Sequence, residues 1–205
     1  MVNVNRNSKI GFVGAGTLGT SLAVAFSRSG YSVVAVASRT FSSSRNLAKR
    51  VPGCIAYPTK AEVGNMADVI FITSPDDAIE CVASDIFWRP SQAAIHCSGV
   101  ASLDVLNVVV ENGATVGAFH PLQAFSSVEN GVKSIPGTTF GIEGDDETSE
   151  DLINTWSVIL SPEIVYGCTD SEACNYNPEA TSDDGSCWSE NNGCSCDDTQ
   201  GSESD

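Results

Sequence analysis

The amino-acid sequence predicts an α/β fold in which a mostly parallel sheet is wound on both faces by helices. Three observations carry that prediction. Short apolar, β-branched runs alternate with segments of helical spacing over the first three quarters of the chain. The first run passes through a glycine turn directly into a helix-forming segment. Residues 1–133 hold all 10 Lys and Arg and 9 of the 26 Asp and Glu, the near-neutral balance of an ordinary globular domain.

The elements follow in order. Residues 9–13 read as a buried strand, and an amphipathic helix spans about 17–29. Residues 31–37 form a second apolar strand, and 67–73 a third, with a helix starting at Asp76. Strands are expected at 93–97, 115–119 and 139–143, with a helix over about 102–112. Residues 147–160 place Leu152, Trp156 and Ile159 on one helical side, and 163–166 suit a last short strand. Repeated βα units with apolar strands imply a Rossmann-type, doubly wound sheet. This domain is expected over residues 1–166, followed by an acidic, cysteine-rich tail over 167–205.

The turn between the first strand and helix is Gly14-Ala15-Gly16-Thr17-Leu18-Gly19. It fits G-x-G-x-x-G, whose glycines allow a tight turn, admit a pyrophosphate against backbone, and let helix and strand pack closely. The helix N-terminus adds amide donors and a positive dipole end. Gly14, Gly16, Thr17, Leu18 and Gly19 are therefore candidate cofactor-binding residues. A glycine-tightened βα turn without a nucleotide is the simpler alternative.

The end of the second strand should lie near the adenosine ribose. NAD sites usually carry Asp or Glu there, to accept from the 2′-hydroxyl. This chain has Ser38-Arg39-Thr40, with Ser42, Ser43, Ser44 and Arg45 beyond. An Arg fork and hydroxyl donors suit a 2′-phosphate, which favours NADP(H) over NAD(H). A solvated surface Arg is the competing reading.

Ligands of such sheets bind outside the carboxyl ends of the strands. Those ends are Thr73-Ser74-Pro75-Asp76, His96-Cys97-Ser98-Gly99 and His120-Pro121-Leu122-Gln123. Ser74 and Pro75 join the cofactor candidates. His96 and His120 are the candidate catalytic residues. Each competes with a plain reading, a backbone-bonded His for His96 and a packed His-Pro loop for His120, whose backbone the following proline pushes toward the extended region. Cys97 has no acidifying partner in sequence. Cys54 and Cys81 read as buried small apolar residues. No Ser-His-Asp order or H-E-x-x-H helix is present.

These pieces, with Phe119-His120-Pro121-Leu122-Gln123 and Phe140-Gly141-Ile142-Glu143-Gly144, carry a resemblance over roughly residues 8–166. The chain resembles the Rossmann-like NADP-binding domain of oxidoreductases related to pyrroline-5-carboxylate reductase and the deazaflavin-dependent NADP reductases. It looks most like the family that joins this domain to a helical domain of unknown function. The resemblance implies an NADP(H) site and an unidentified small-molecule substrate. In that family the helical domain helps build the dimer and the substrate pocket. Here the chain instead enters Gly167-Cys168-Thr169-Asp170. The expectation is a protein shortened relative to its family, in which a homodimer would lack the family's dimer domain.

Five of the eight cysteines, Cys168, Cys174, Cys187, Cys194 and Cys196, lie in the tail. Residues 134–205 carry 17 Asp and Glu and no Lys or Arg. The segment from Gly167 to Cys187 resembles a short cysteine repeat of secreted, multidomain bacterial proteins. With few apolar residues, disulfides or a metal would have to order it; otherwise it stays disordered. Asp170, Asp183 and Asp184 are candidate oxygen ligands for Ca²⁺ without an EF-hand pattern. The cysteine spacings miss the C-x2-C zinc knuckle. An odd number of cysteines leaves one unpaired or joined to another molecule.

The acidic tail argues against nucleic acid as a partner. No apolar run is long enough for a membrane span, and residues 1–8 contain no apolar signal core, so a cytoplasmic location is expected. The cysteine-rich segment suits an oxidising space instead. The functional expectation is an NADP(H)-binding oxidoreductase-like protein acting on a small imine, ketone or related acid. The alternatives are a nucleotide-binding module without turnover, or a chimera carrying a secreted-type module.

Overall fold

A computed structural model describes residues 7–144, 166–168, 170–177, 182–183 and 185–189. The chain divides into two units, Met1–Ser161 and Pro162–Asp205.

In the first unit, strand β1 (Lys9–Val13) leads into helix α1 (Thr17–Arg28) and β2 (Ser32–Ala37). Helix α2 (Phe41–Ala48), β3 (Ile55–Ala56) and α3 (Lys60–Met66) follow. Strand β4 (Val69–Ile72) passes through a 3-10 turn (Asp76–Ala78) to α4 (Ile79–Ser84). Strand β5 (Ala93–His96), a second 3-10 turn (Leu103–Leu106), α5 (Asn107–Glu111) and β6 (Thr115–Pro121) come next. Helix α6 (Val128–Ser134) and β7 (Phe140–Gly144) are its last described elements. The seven strands lie in the order β3-β2-β1-β4-β5-β6-β7. All neighbours are parallel except β6 and β7. The fold is thus the expected mostly parallel, doubly wound Rossmann-like α/β sheet. The chain runs outward from β1 to β3 and returns to β4, so the topological switch point opens between β1 and β4. That crevice, at the carboxyl ends of the strands, is where such sheets bind ligands.

Alternation along the strands splits the core between two faces. Ile10, Phe12, Val69, Phe71, Ile95 and Phe119 face α1, where Leu22 and Phe26 are fully buried. Phe12 stacks on Phe71 at 5.1 Å, and Phe26 meets Phe71 at 5.2 Å. The opposite face buries Val13, Ile70, Ile72 and Ala94 against Val63, Ile79, Trp88 and Leu106.

Polar groups lock this second layer. Gln92 is fully buried and its Nε2 donates to the carbonyls of Gly64 and Ala67, both at 2.7 Å. Its Oε1 accepts from the Arg89 amide at 2.9 Å. The end of α3 is therefore tied to the start of β5.

Several local expectations need correction. The helix expected over 102–112 begins as a 3-10 turn and becomes α-helical at Asn107. Cys81 is exposed and Cys54 half-buried, so neither is the buried residue that apolar surroundings in sequence suggested. Cys81 lies on α4 beside exposed Glu80, on the side turned away from buried Ile79 and Val82. Helices α2, α3 and α6 and strand β3 add to the predicted set. For α3 a signal was present: Thr59 and Glu62 form a capping box, with the Glu62 amide donating to Thr59 Oγ1 and the Thr59 amide to Glu62 Oε2. The expected helix over 147–160 lies outside the described residues.

In the second unit, β8 (Tyr166–Gly167) and β9 (Ser182–Asp183) pair in parallel. Cys168 and Cys187 form a disulfide, and Cys174 is also disulfide-bonded. Asn175 fastens the same segment, donating to the Ser186 carbonyl at 2.7 Å and accepting from the Trp188 amide at 3.0 Å. Asp170 accepts from the Glu172 amide at 2.9 Å. Among the described residues no group of three metal-ligating side chains converges. The Asp183 side chain and all of Asp184 lie outside the described residues. No helix among the described residues is long and apolar enough to cross a membrane.

Candidate functional site

The three motif glycines have separate physical reasons to be glycine. Gly14 has φ +119°, and a Cβ there would also stand 2.7 Å from the Thr73 backbone. A Cβ on Gly19 would lie 2.5 Å from the Gly14 carbonyl oxygen and collide with Thr73 Oγ1. Gly14 and Gly19 are therefore required by packing of α1 on β1 and β4. A Cβ on Gly16 would meet nothing within 4 Å, and Gly16 is exposed. Its surroundings give packing no reason for a glycine, whereas close approach of a ligand to the backbone would require one.

Thr73 is the hub of this turn. Its amide donates to Val13 O at 2.9 Å, and its hydroxyl to Gly14 O at 2.9 Å. The Gly14 amide donates to Ala37 O at 2.9 Å, so β1, β2 and β4 all hold the loop. Gly16 is the N-cap of α1; no side chain caps the helix and no acidic residue sits in its first turn. The first-turn amides of Thr17, Leu18 and Gly19 suit an anion.

Ser38 lies beside the same loop and its Oγ accepts from the Ala15 amide at 3.4 Å. Arg39 and Thr40 follow, both exposed. Arg39 forms no ion pair among the described residues. Thr40 shares a 2.7 Å hydroxyl–hydroxyl hydrogen bond with Ser43. A cation and hydroxyls thus cluster at the end of β2 with no carboxylate between Ser38 and Arg45.

At the ends of β4 and β5 stand two orphaned groups. Ser74 Oγ and His96 Nε2 are buried without a hydrogen-bond partner; among the described residues only Ser44 Oγ, on the buried side of α2, shares that condition. Ile72 pairs with His96 across the two strands, so Ser74 follows two residues beyond His96's neighbour. Pro75 is exposed and starts the turn into α4.

His96 is fully buried. Its Nδ1 accepts from the Ser98 amide at 3.2 Å. A lone pair at Nδ1 puts the ring proton of a neutral imidazole on Nε2. Burial lowers the His96 pKa, and proximity of His120 adds to that; the carboxylates of Glu143 and Asp76 oppose it. Glu143 comes close because β7 returns antiparallel: His96 pairs with Ala118, which pairs with Glu143.

His120 Nδ1 contacts the Cys97 carbonyl at 3.1 Å. A carbonyl only accepts, so Nδ1 is the donor, and in the neutral imidazole Nε2 is left with the lone pair. Gly99 makes room for this ring, since a Cβ there would stand 2.5 Å from Cε1 and 2.9 Å from Cδ2. Cys97 is buried and burial drives its thiol pKa upward, which keeps it protonated. Ser98 Oγ accepts from the Val100 and Ala101 amides at 3.2 and 3.0 Å, fixing the loop after β5.

The structure therefore gathers the glycine turn, Ser38, Ser74, His96 and His120 along the carboxyl edge of one sheet. Thr73, Gly99 and Glu143 were missed as partners of these residues. Thr73 and Gly99 stood in the quoted strand-end segments. Glu143 has no local signal, because its position depends on strand pairing alone. A separate cleft of about 570 Å³, lined by Arg28, Arg50, Glu129 and Lys133, sits at the far end of α1 and touches none of these groups. Within it Arg50 and Glu129 pair at 2.8 Å.

This architecture defines a Rossmann-type α/β protein with a glycine turn at its switch point. The chain belongs to the Rossmann-like domain family, whose profile matches residues 3–121. Among solved structures it is similar to a Bacteroides fragilis protein described as an NADP oxidoreductase. That match has 28% identity and a TM-score of 0.63, and covers 75% of this chain and 58% of that one. The 3-hydroxyisobutyrate dehydrogenase of Mycobacterium tuberculosis matches at 16% identity and TM-score 0.63, covering 78% and 54%. The reductive aminase of Aspergillus terreus, solved with NADPH and ethyl-5-oxohexanoate, matches at 15% identity and TM-score 0.60, covering 74% and 53%. The last two likenesses concern the fold. The chain spans little more than half the length of these proteins. No curated protein sequence matches it.

Proposed function

We propose that this chain is an NADP(H)-binding module of an oxidoreductase acting on a small carbonyl or imine compound. The observation that carries the reading is the division among the glycines: packing accounts for Gly14 and Gly19, whereas Gly16, the exposed N-cap of α1, leaves the backbone open to close approach of a ligand. The uncapped N-terminus of α1 would take the pyrophosphate. Arg39, with the hydroxyls of Ser38 and Thr40, would take the 2′-phosphate. The similarity to the Bacteroides protein described as an NADP oxidoreductase supports the same cofactor.

When bound, the dinucleotide supplies or accepts a hydride. The chain's own residues orient it. Thr73 holds the glycine turn, Ser74 and His96 stand at the next two strand ends, and His120 is braced by Gly99. A neutral His96 keeps a fixed donor at this edge without adding charge.

The test is titration with NADPH and NADH, followed by a turnover screen with small ketones and cyclic imines. NADPH binding tighter than NADH binding, with turnover, is the expected result. Absence of NADPH binding overturns the reading. Binding without turnover on any compound favours a nucleotide-holding module instead.

A further inference from the structure

We infer that His96 Nε2–H, with Ser74 Oγ at the adjacent strand end, is a built donor site for an uncharged carbonyl oxygen; the inference rests on the dinucleotide reading above.

His96 is fully buried and its Nε2 has no partner in the protein. The Ser98 amide occupies Nδ1 and so fixes Nε2 as the donor. A buried donor left unmet is destabilising, so its retention points to an acceptor supplied from outside the fold. Ser74 Oγ repeats the condition on the adjacent strand end. Both groups lie at the carboxyl edge of the sheet, beyond the β1–β4 crevice.

The charge around the site selects the kind of acceptor. Strand pairing through Ala118 brings Glu143 near the His96 ring, and Glu143 and Asp76 place negative potential there against the opposing contribution of His120. That potential disfavours a carboxylate or phosphate oxygen as the partner. It leaves an uncharged oxygen, such as that of a carboxamide or ketone. Two sources carry that chemistry, the carboxamide of the nicotinamide ring and the carbonyl of the compound to be reduced. The exposed apolar side chains of Val100 and Leu122 follow the ends of β5 and β6, at the same edge of the sheet.

The experiment separates the sources. His96→Asn keeps an acceptor for the Ser98 amide and removes the Nε2 donor. His96→Gln returns an N–H near the Nε2 position. Wild type and both variants are checked by thermal melting and titrated with 2′,5′-ADP, the adenosine half of the cofactor, and with NADPH. Cyclohexanone is then added to the NADPH-loaded proteins and followed by saturation-transfer NMR. Equal 2′,5′-ADP affinity in all three is expected. About a tenfold loss of NADPH affinity in His96→Asn, recovered in His96→Gln, assigns the site to the cofactor carboxamide. Unchanged NADPH affinity with loss of the cyclohexanone signal assigns it to the substrate carbonyl. If His96→Asn does not fold, Ser74→Ala serves as the second variant, with a two- to fivefold loss expected in one of the same readouts. Identical NADPH and cyclohexanone binding in folded variants and wild type overturns the inference and leaves the dinucleotide reading intact. Failure of 2′,5′-ADP and NADPH to bind wild type overturns both.

Discussion

His96 and His120 are joined through one peptide unit. The Ser98 N–H donates to His96 Nδ1 at 3.2 Å, and the Cys97 C=O of the same peptide accepts from His120 Nδ1 at 3.1 Å. Because that peptide offers one donor and one acceptor, it imposes opposite tautomers on the two rings. His96 presents Nε2–H, whereas the neutral form of His120 presents an Nε2 lone pair. One element thus sets a donor and an acceptor at the same sheet edge.

This coupling predicts how stability depends on pH. Burial holds the His96 pKa below its ordinary 6.5. The unfolded chain therefore takes up a proton near pH 6.5 that the native ring refuses. Stability is full above that pH and falls as the pH drops from 6.5 toward the native value. One proton limits the slope to about 1.4 kcal/mol per pH unit. Urea midpoints at pH 7.5, 6.5 and 5.5 should show a shallower loss in His96→Asn than in wild type. Equal slopes would contradict a neutral, buried His96.

The glycines should separate folding from binding. Gly16→Val meets no protein atom at Cβ, so the domain should stay folded with only the modest loss of a poorer N-cap, about 1 kcal/mol, while NADPH affinity falls at least tenfold. Gly19→Ala should do the reverse first. Its Cβ presses on the Gly14 carbonyl and on Thr73, which costs about 1–3 kcal/mol of stability. Thermal melting beside NADPH titration checks both. A folded Gly16→Val with wild-type affinity would sink the cofactor assignment.

Arg39 should set the choice of cofactor. Arg39→Asp removes a charge-assisted bond worth about 1.5–3 kcal/mol and adds a repelling carboxylate. NADPH binding should weaken tenfold or more, and the NADPH/NADH affinity ratio should fall by at least that factor. An unchanged ratio would make Arg39 an ordinary surface residue.

Gln92 should matter for stability and not for binding. Gln92→Ala removes two 2.7 Å bonds to the end of α3 and leaves the Arg89 amide without its partner. The expected loss is about 1–3 kcal/mol by urea denaturation. It should stay moderate because Arg89 Nη1 still reaches Gly64 O at 3.0 Å. NADPH affinity should match wild type, since Gln92 lies at the start of β5, at the opposite end from His96.

Much of this fold was legible from residue order alone. The apolar runs of β1, β2, β4, β5 and β6 carry their own strand signal, and Gly14-Ala15-Gly16-Thr17-Leu18-Gly19 marks the turn, because such patterns are local in the chain. Helix α2 escaped because Phe41-Ser42-Ser43-Ser44-Arg45 has weak helix propensity and is held by burial of Ser44 and Leu47. Cys81 was misjudged because sequence neighbours do not say which side of a short helix faces the core. The tertiary structure alone decided the site. Thr73 meets Gly14 and Gly19 only after β4 docks beside β1. Glu143 reaches the neighbourhood of His96 only because β7 turns back antiparallel to β6. The His120 tautomer depends on the Cys97 carbonyl just past β5, a contact that exists only because β6 pairs beside β5. Sequence by itself determined which residue types stand at each strand end; sheet order and register decided which of them meet, since contacts between distant segments are set by packing and leave no periodic trace in the chain.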